Sequence, residues 1–260
     1  MSTSGRFARD SDRVMGWAQE FDGLAGAPPD PSVWCAELGG GGWGDDQLQS
    51  YTRPPANAYL TGSGQLAIVA RDAPGGISSA RLTTCGLVSF RYGHIAARIR
   101  VPSGAGVWPA FWMLGTDIDT VGWPACGEID VMEHAGSDPT AAHGTVHGIG
   151  YAGIGHGVGR RFDTGARLSD DFHTYAVDWS AASISWHVDG HEHFRVTAAD
   201  VPGPWPFDKS FFLVINLAIG GRWPGNEPDP STLPAEMLID WIRVEGSEVQ
   251  QSPPHSRTAM

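Results

Sequence analysis

Residues 184–196 read ISWHVDGHEHFRV. Two short strand-like runs flank Asp189-Gly190, a dipeptide suited to a two-residue hairpin turn. This stretch sets an antiparallel, all-β reading, and the same texture runs outward from it. LAIVA (66–70), GHIAARIRV (93–101), HTYAVD (173–178), FFLVINL (211–217) and MLIDWIRV (237–244) are further strand candidates separated by turn residues. No long amphipathic helix pattern is present, and Ala198–Val201 is long enough for one helical turn only. Strands at this spacing predict an antiparallel β-sandwich.

The 35 glycines and 19 prolines supply turns, while 11 tryptophans argue against disorder. At 260 residues the chain suits one β-sandwich domain. Residues 1–17 read as a flexible segment, 18–246 as the domain and 247–260 as a disordered tail. A formal charge of −12 disfavours nucleic acid as a partner. No apolar run reaches the roughly 18 residues of a membrane span. The N-terminus shows no apolar segment of a signal peptide. Three cysteines, Cys35, Cys85 and Cys126, form neither a disulfide framework nor a zinc spacing. Three thiols, or one Cys35–Cys85 bridge, fit the count.

GEIDVMEH (127–134) carries the chemistry. Residues two apart on a strand share a face, so Glu128 and Asp130 point together while strict alternation turns Glu133 away. One extra residue, a β-bulge, returns Glu133 to the acidic face. Two carboxyl groups flanking a bond are what glycoside hydrolysis requires, about 5–5.5 Å apart in retaining enzymes. Asp130 is placed to hydrogen-bond Glu128. Trp108, Phe111, Trp112 and Trp123 precede the acids closely, as a cleft that stacks sugar rings would need.

The segment 128–133 resembles the active-site motif of glycoside hydrolase family 16. WPAFWMLG (108–115), GWPACGEIDVMEH (122–134), GTVHG (144–148), FHTYAVDW (172–179), NLAIGGRWPG (216–225), IDWIRV (239–244), GGGGWGDDQLQSYT (39–52) and SARLTT (79–84) are similar to the family's bacterial laminarinases. The resemblance implies a jelly roll with a concave substrate cleft and a retaining endo-1,3-β-glucanase acting on laminarin-like chains. Mixed-linkage β-glucan, β-galactan, or a non-catalytic glucan-binding role are the alternatives. It makes Glu128 the nucleophile, Asp130 the assisting acid and Glu133 the general acid/base. It places Trp43, Asp46, Arg81, Trp108, Trp112, Trp123, His147, Asn216 and Trp223 against substrate. It implies no catalytic cofactor, but a structural calcium ion at the Glu20 and Gly64 carbonyls and the Asp240 carboxylate. A polysaccharide partner, a monomer and secretion follow from the same comparison. The chain departs from the usual pattern at Asp45, Asp46, His94 and Ala96.

Other motifs are weaker. Asp117, Asp119 and Glu128 partly fit an EF-hand loop, but Val121 offers no side-chain oxygen. His143 and His147 have a helical zinc spacing in a segment unsuited to a helix; His147 reads better as a sugar ligand, with His143 and His156 as loop residues. Trp179, Trp186 and Trp241 are assigned to the core.

Overall fold

The computed structural model describes residues 15–225 and 228–252. Two β-sheets, of ten and nine strands, pack face to face. All strand pairs are antiparallel except Gln49–Tyr51 beside Gly76–Ser79. The only α-helix among the described residues is the single turn Ile118–Val121. The molecule is an antiparallel jelly-roll sandwich.

The hairpin forms as expected, with Val188 opposite His191. Asp189 and Gly190 both take positive φ, 50° and 77°, the conformation that two-residue hairpins require. Alternation then decides what each strand buries. On Gly93–Arg100, Ile95, Ala97 and Ile99 enter the shared core. On Phe211–Ile219 the core receives Phe211, Leu213, Ile215, Leu217 and Ile219. Full burial of each such side chain contributes roughly 1.5–3 kcal/mol, and this two-sided layer holds the sheets together.

The sandwich extends beyond both boundaries read from the sequence. Met15–Gln19 pairs with Ala235–Glu245, with Gln19 opposite Ile242. Glu248–Gln251 pairs with Val88–Arg91. Residues 1–14 and 253–260 lie outside the described residues. The Ala198–Val201 stretch forms no helix; the Asp200 carboxylate accepts from the Thr197 amide and closes a turn. Cys35 and Cys126 are free thiols, so the Cys35–Cys85 bridge does not form. Trp179 and Trp186 are buried as expected. Trp241 is only partly buried, because Trp241 and Arg243 share the outer face, with the guanidinium 4.4 Å from the indole. Among the described residues no helix is long and apolar enough to cross a membrane.

Candidate active site

Val107–Gly115 is the floor of the site and alternates without interruption. Val107, Phe111 and Met113 enter the core. Trp108, Ala110, Trp112 and Leu114 face an open cleft of about 830 Å³. The neighbouring strand, Glu128–Glu133, does not alternate throughout. Asp130 sits opposite Trp112 and Glu133 opposite Ala110, so three steps on one strand match two on the other. Its second neighbour shows the same offset, with Asp130 opposite Thr145 and Glu133 opposite His143. Val131 and Met132 both turn into the core. This is the expected bulge, and it brings Glu128, Asp130 and Glu133 to the cleft.

Each acid is held by defined partners. The Trp123 indole N–H donates to Glu128 Oε2 at 2.7 Å. The Trp108 indole N–H donates to Glu133 Oε1 at 3.1 Å. His147 Nε2 lies 3.2 Å from Asp130 Oδ2 and 3.9 Å from Glu128 Oε1. Beneath the strand, the Trp186 indole donates to the Asp130 backbone carbonyl at 2.7 Å. Burial, then the charge of Asp130, pushes Glu128 up to about 8. Burial raises Asp130, and Glu133 is driven well above the usual carboxylate range by burial and its acidic neighbours. Glu128 and Asp130 are hydrogen-bonded to each other. The arrangement favours the protonated form of Glu133, while the Trp123 N–H favours charge on Glu128. Glu128, Asp130 and His147 also offer ligand atoms within 4.8 Å of one another, the one such cluster among the described residues.

A second network walls the cleft. The Arg81 guanidinium lies between the rings of Trp43 and Trp112, 4.9 and 4.7 Å from their centroids, and pairs with Glu37. Trp112 donates to Asn216 Oδ1 at 2.7 Å, and Asn216 Nδ2 donates to the Tyr51 hydroxyl at 3.2 Å. Tyr51 packs 5.1 Å from Trp43 and closes the ring. Trp223 lies 5.2 Å from Trp108.

The cleft therefore gathers all three acids with Trp43, Arg81, Trp108, Trp112, Trp123, His147, Asn216 and Trp223. Trp123 is 48% exposed, which makes it a cleft residue rather than a core one. Asp46 is the exception: it is largely exposed beside Arg222, and Asp45 lines the cleft instead. The segment takes positive φ at Trp43 and Asp46, 49° and 59°, which breaks the alternation used to place side chains. His143 is on the strand Ala141–His147, not in a loop, and meets Trp223 edge-on at 5.0 Å. Sequence reading also missed Glu37 and Tyr51, whose roles come from pairing across distant strands. The EF-hand-like segment forms the single helical turn instead.

Residues 55–243 match the family described as Glycosyl hydrolases family 16. The chain is 43% identical over 246 residues to a "Beta-glucanase" of Rhodothermus marinus, covering 88% of this chain and 83% of that protein. The crystal structure of the laminarinase catalytic domain from Thermotoga maritima superposes with a TM-score of 0.83 at 40% identity, covering 90% of this chain and 98% of that one. The endo-β-1,3-glucanase from Pyrococcus furiosus gives a TM-score of 0.83 at 40% identity, covering 92% and 96%. Two further relatives are longer proteins, of which the chain spans 34% and 37%.

The bulge makes a structural prediction. Deleting Met132 leaves one residue between Asp130 and Glu133, the spacing of Trp112 and Ala110 opposite them. A crystal structure of the deletion variant should show the glutamate still facing the cleft. Loss of the buried methionine should cost about 2–5 kcal/mol in denaturant unfolding. A glutamate turned into the core would refute the register argument.

Proposed function

The chain belongs to glycosyl hydrolase family 16, and from that we propose that it is a retaining endo-1,3-β-glucanase. The observation that carries the chemistry is the bulged strand, which turns Glu128 and Glu133 to one cleft while Asp130 bonds Glu128. Similarity to proteins called laminarinase and endo-β-1,3-glucanase supports the linkage.

In the proposed reaction a β-glucan lies across the strand, with the bond to be cut between the two glutamates. Glu133 gives its proton to the departing glycosidic oxygen while the Glu128 carboxylate attacks the anomeric carbon. The C–O bond to the leaving chain breaks as the ester to Glu128 forms. Esterification removes the Glu128 charge, which adds to burial and the Asp130 charge in raising Glu133. Glu133 is then ionised, takes a proton from water, and the hydroxide displaces Glu128 with a second inversion. Glu133 thereby ends the cycle protonated, as it began. The hydrogen bond shared with Asp130 and the Trp123 N–H hold the Glu128 carboxylate in place for attack.

The indoles of Trp112, Trp123 and Trp223 offer flat apolar faces for glucosyl rings. A polymer that cannot enter a cell places the enzyme outside it, and a cleft complete within one chain is consistent with a monomer. We also propose a calcium ion away from the cleft, at the Glu20 and Gly64 carbonyls and the Asp240 carboxylate. Glu20 O and Asp22 Oδ1 lie 3.9 and 3.7 Å from where a side chain at Gly64 would start, an oxygen cluster of the kind calcium favours. Asp240 fits less well, because Arg98 already donates to its Oδ2 at 2.7 Å. The ion would stabilise the fold and take no part in catalysis.

Two expectations test these readings. Among laminarin, barley glucan, lichenan and agarose, laminarin should release reducing sugar fastest, with the β-anomer appearing first by proton NMR. Glu128→Ala and Glu133→Ala should each retain less than about a tenth of that rate, losses of the size typical of acid–base groups. An initial α-anomer, or preference for another polymer, would overturn the stereochemical or the substrate assignment respectively. For calcium, melting in excess EDTA should occur at a lower temperature than in millimolar calcium. Identical melts, with no calcium by elemental analysis, would leave the Arg98 pair as the full account of Asp240.

A further inference from the structure

The cleft continues past the three acids toward the edge of the nine-stranded sheet, across Ala141–His147 and Val158–Asp163. Strand pairing aligns Glu133, His143 and Arg161 in one row, because Glu133 lies opposite His143 and His143 opposite Arg161. Directly opposite residues on paired strands share a face, and all three line the cleft. A substrate cut between two groups on one strand must run across the strands, which is the direction of this row. Two strand spacings separate Arg161 from Glu133, about 10 Å, a reach comparable to two glucosyl units. Gly159, in the neighbouring row opposite Thr145, adds no side chain to the floor beside Arg161.

Arg161 is built rather than loose. Its Nε and Nη2 donate to Asp138 Oδ2 and Oδ1 at 2.6 and 2.9 Å, and Nη2 also donates to Asp163 Oδ2 at 3.1 Å. Nη1 takes part in none of these bonds. The side chain is 43% exposed. An ion pair this accessible contributes little to folding. A planar guanidinium locked in orientation beside a sugar cleft is instead a pre-ordered donor for hydroxyl groups.

We propose that Arg161, fixed by Asp138 and Asp163, binds the glucosyl unit two positions from the cleaved bond on this side of the cleft. The inference rests on the glucanase reading. It assigns a binding role only; Arg161 touches no reacting atom.

The test compares wild type with Arg161→Gln and Arg161→Lys on laminarihexaose labelled with ¹⁸O at its reducing end. Losing a hydrogen bond from a charged donor should raise KM about tenfold with kcat little changed in Arg161→Gln. The preferred cleavage position should move along the hexaose, because one end of the chain has lost its anchor. Arg161→Lys, with the charge but not the fork, should fall between. Both variants should melt with wild type, and the cleavage pattern does not depend on how much enzyme is folded. Unchanged KM and cleavage positions in Arg161→Gln would overturn the subsite. Wild type that fails to cut laminarihexaose at all would overturn the glucanase reading, and the subsite with it.

Discussion

A strand that turns its side chains up and down every residue cannot show one cleft its first, third and sixth positions. The site depends on the single irregularity that allows it. Val131 and Met132 both enter the core, so Glu133 rejoins the face of Glu128 and Asp130. The irregularity survives because both residues are hydrophobic and each gains a buried environment. A polar residue at either position would place an unpaired group in the core at a cost of a few kcal/mol. The sequence VM between two acids is thus a packing solution with a catalytic consequence.

The same placement sets the electrostatics. Three carboxyl groups share a partly dry cleft, and burial raises all of them, Glu128 to about 8. Such clustering opposes folding at neutral pH, where the unfolded chain releases these protons freely. What offsets it is local: indole N–H groups from Trp108 and Trp123, the His147 imidazole, and the Glu128–Asp130 bond. The tryptophans therefore serve twice, as walls for sugar rings and as donors to the acids. The Arg81 stack between Trp43 and Trp112 fixes the far wall in the same economical way.

Much of this was legible in the sequence because it depends on short-range rules. Asp189-Gly190 names its own turn, and the spacing of Glu128, Asp130 and Glu133 forces either a bulge or a wasted acid. What was not legible depends on partners far along the chain. Met15–Gln19 and Glu248–Gln251 read as loose ends, since their partner strands lie about 225 and about 160 residues away along the chain. Trp241 reads as core in an apolar run, yet a strand has two faces and Arg243 marks the outer one. Positive-φ backbone in a glycine-rich loop turns Asp46 away from the cleft, and His143 lies on a strand despite the glycine beside it.

The central claim is that the bulge delivers Glu128 as the nucleophile and Glu133 as the proton donor. A 2-deoxy-2-fluoro laminarioligosaccharide with a good leaving group slows the second step and allows the glycosyl-enzyme to accumulate. Peptide mass spectrometry after digestion locates the adduct. The expected product carries one fluoroglycosyl group, attached to Glu128. An adduct on Asp130 or Glu133, or turnover of the reagent with no covalent species formed, would contradict it.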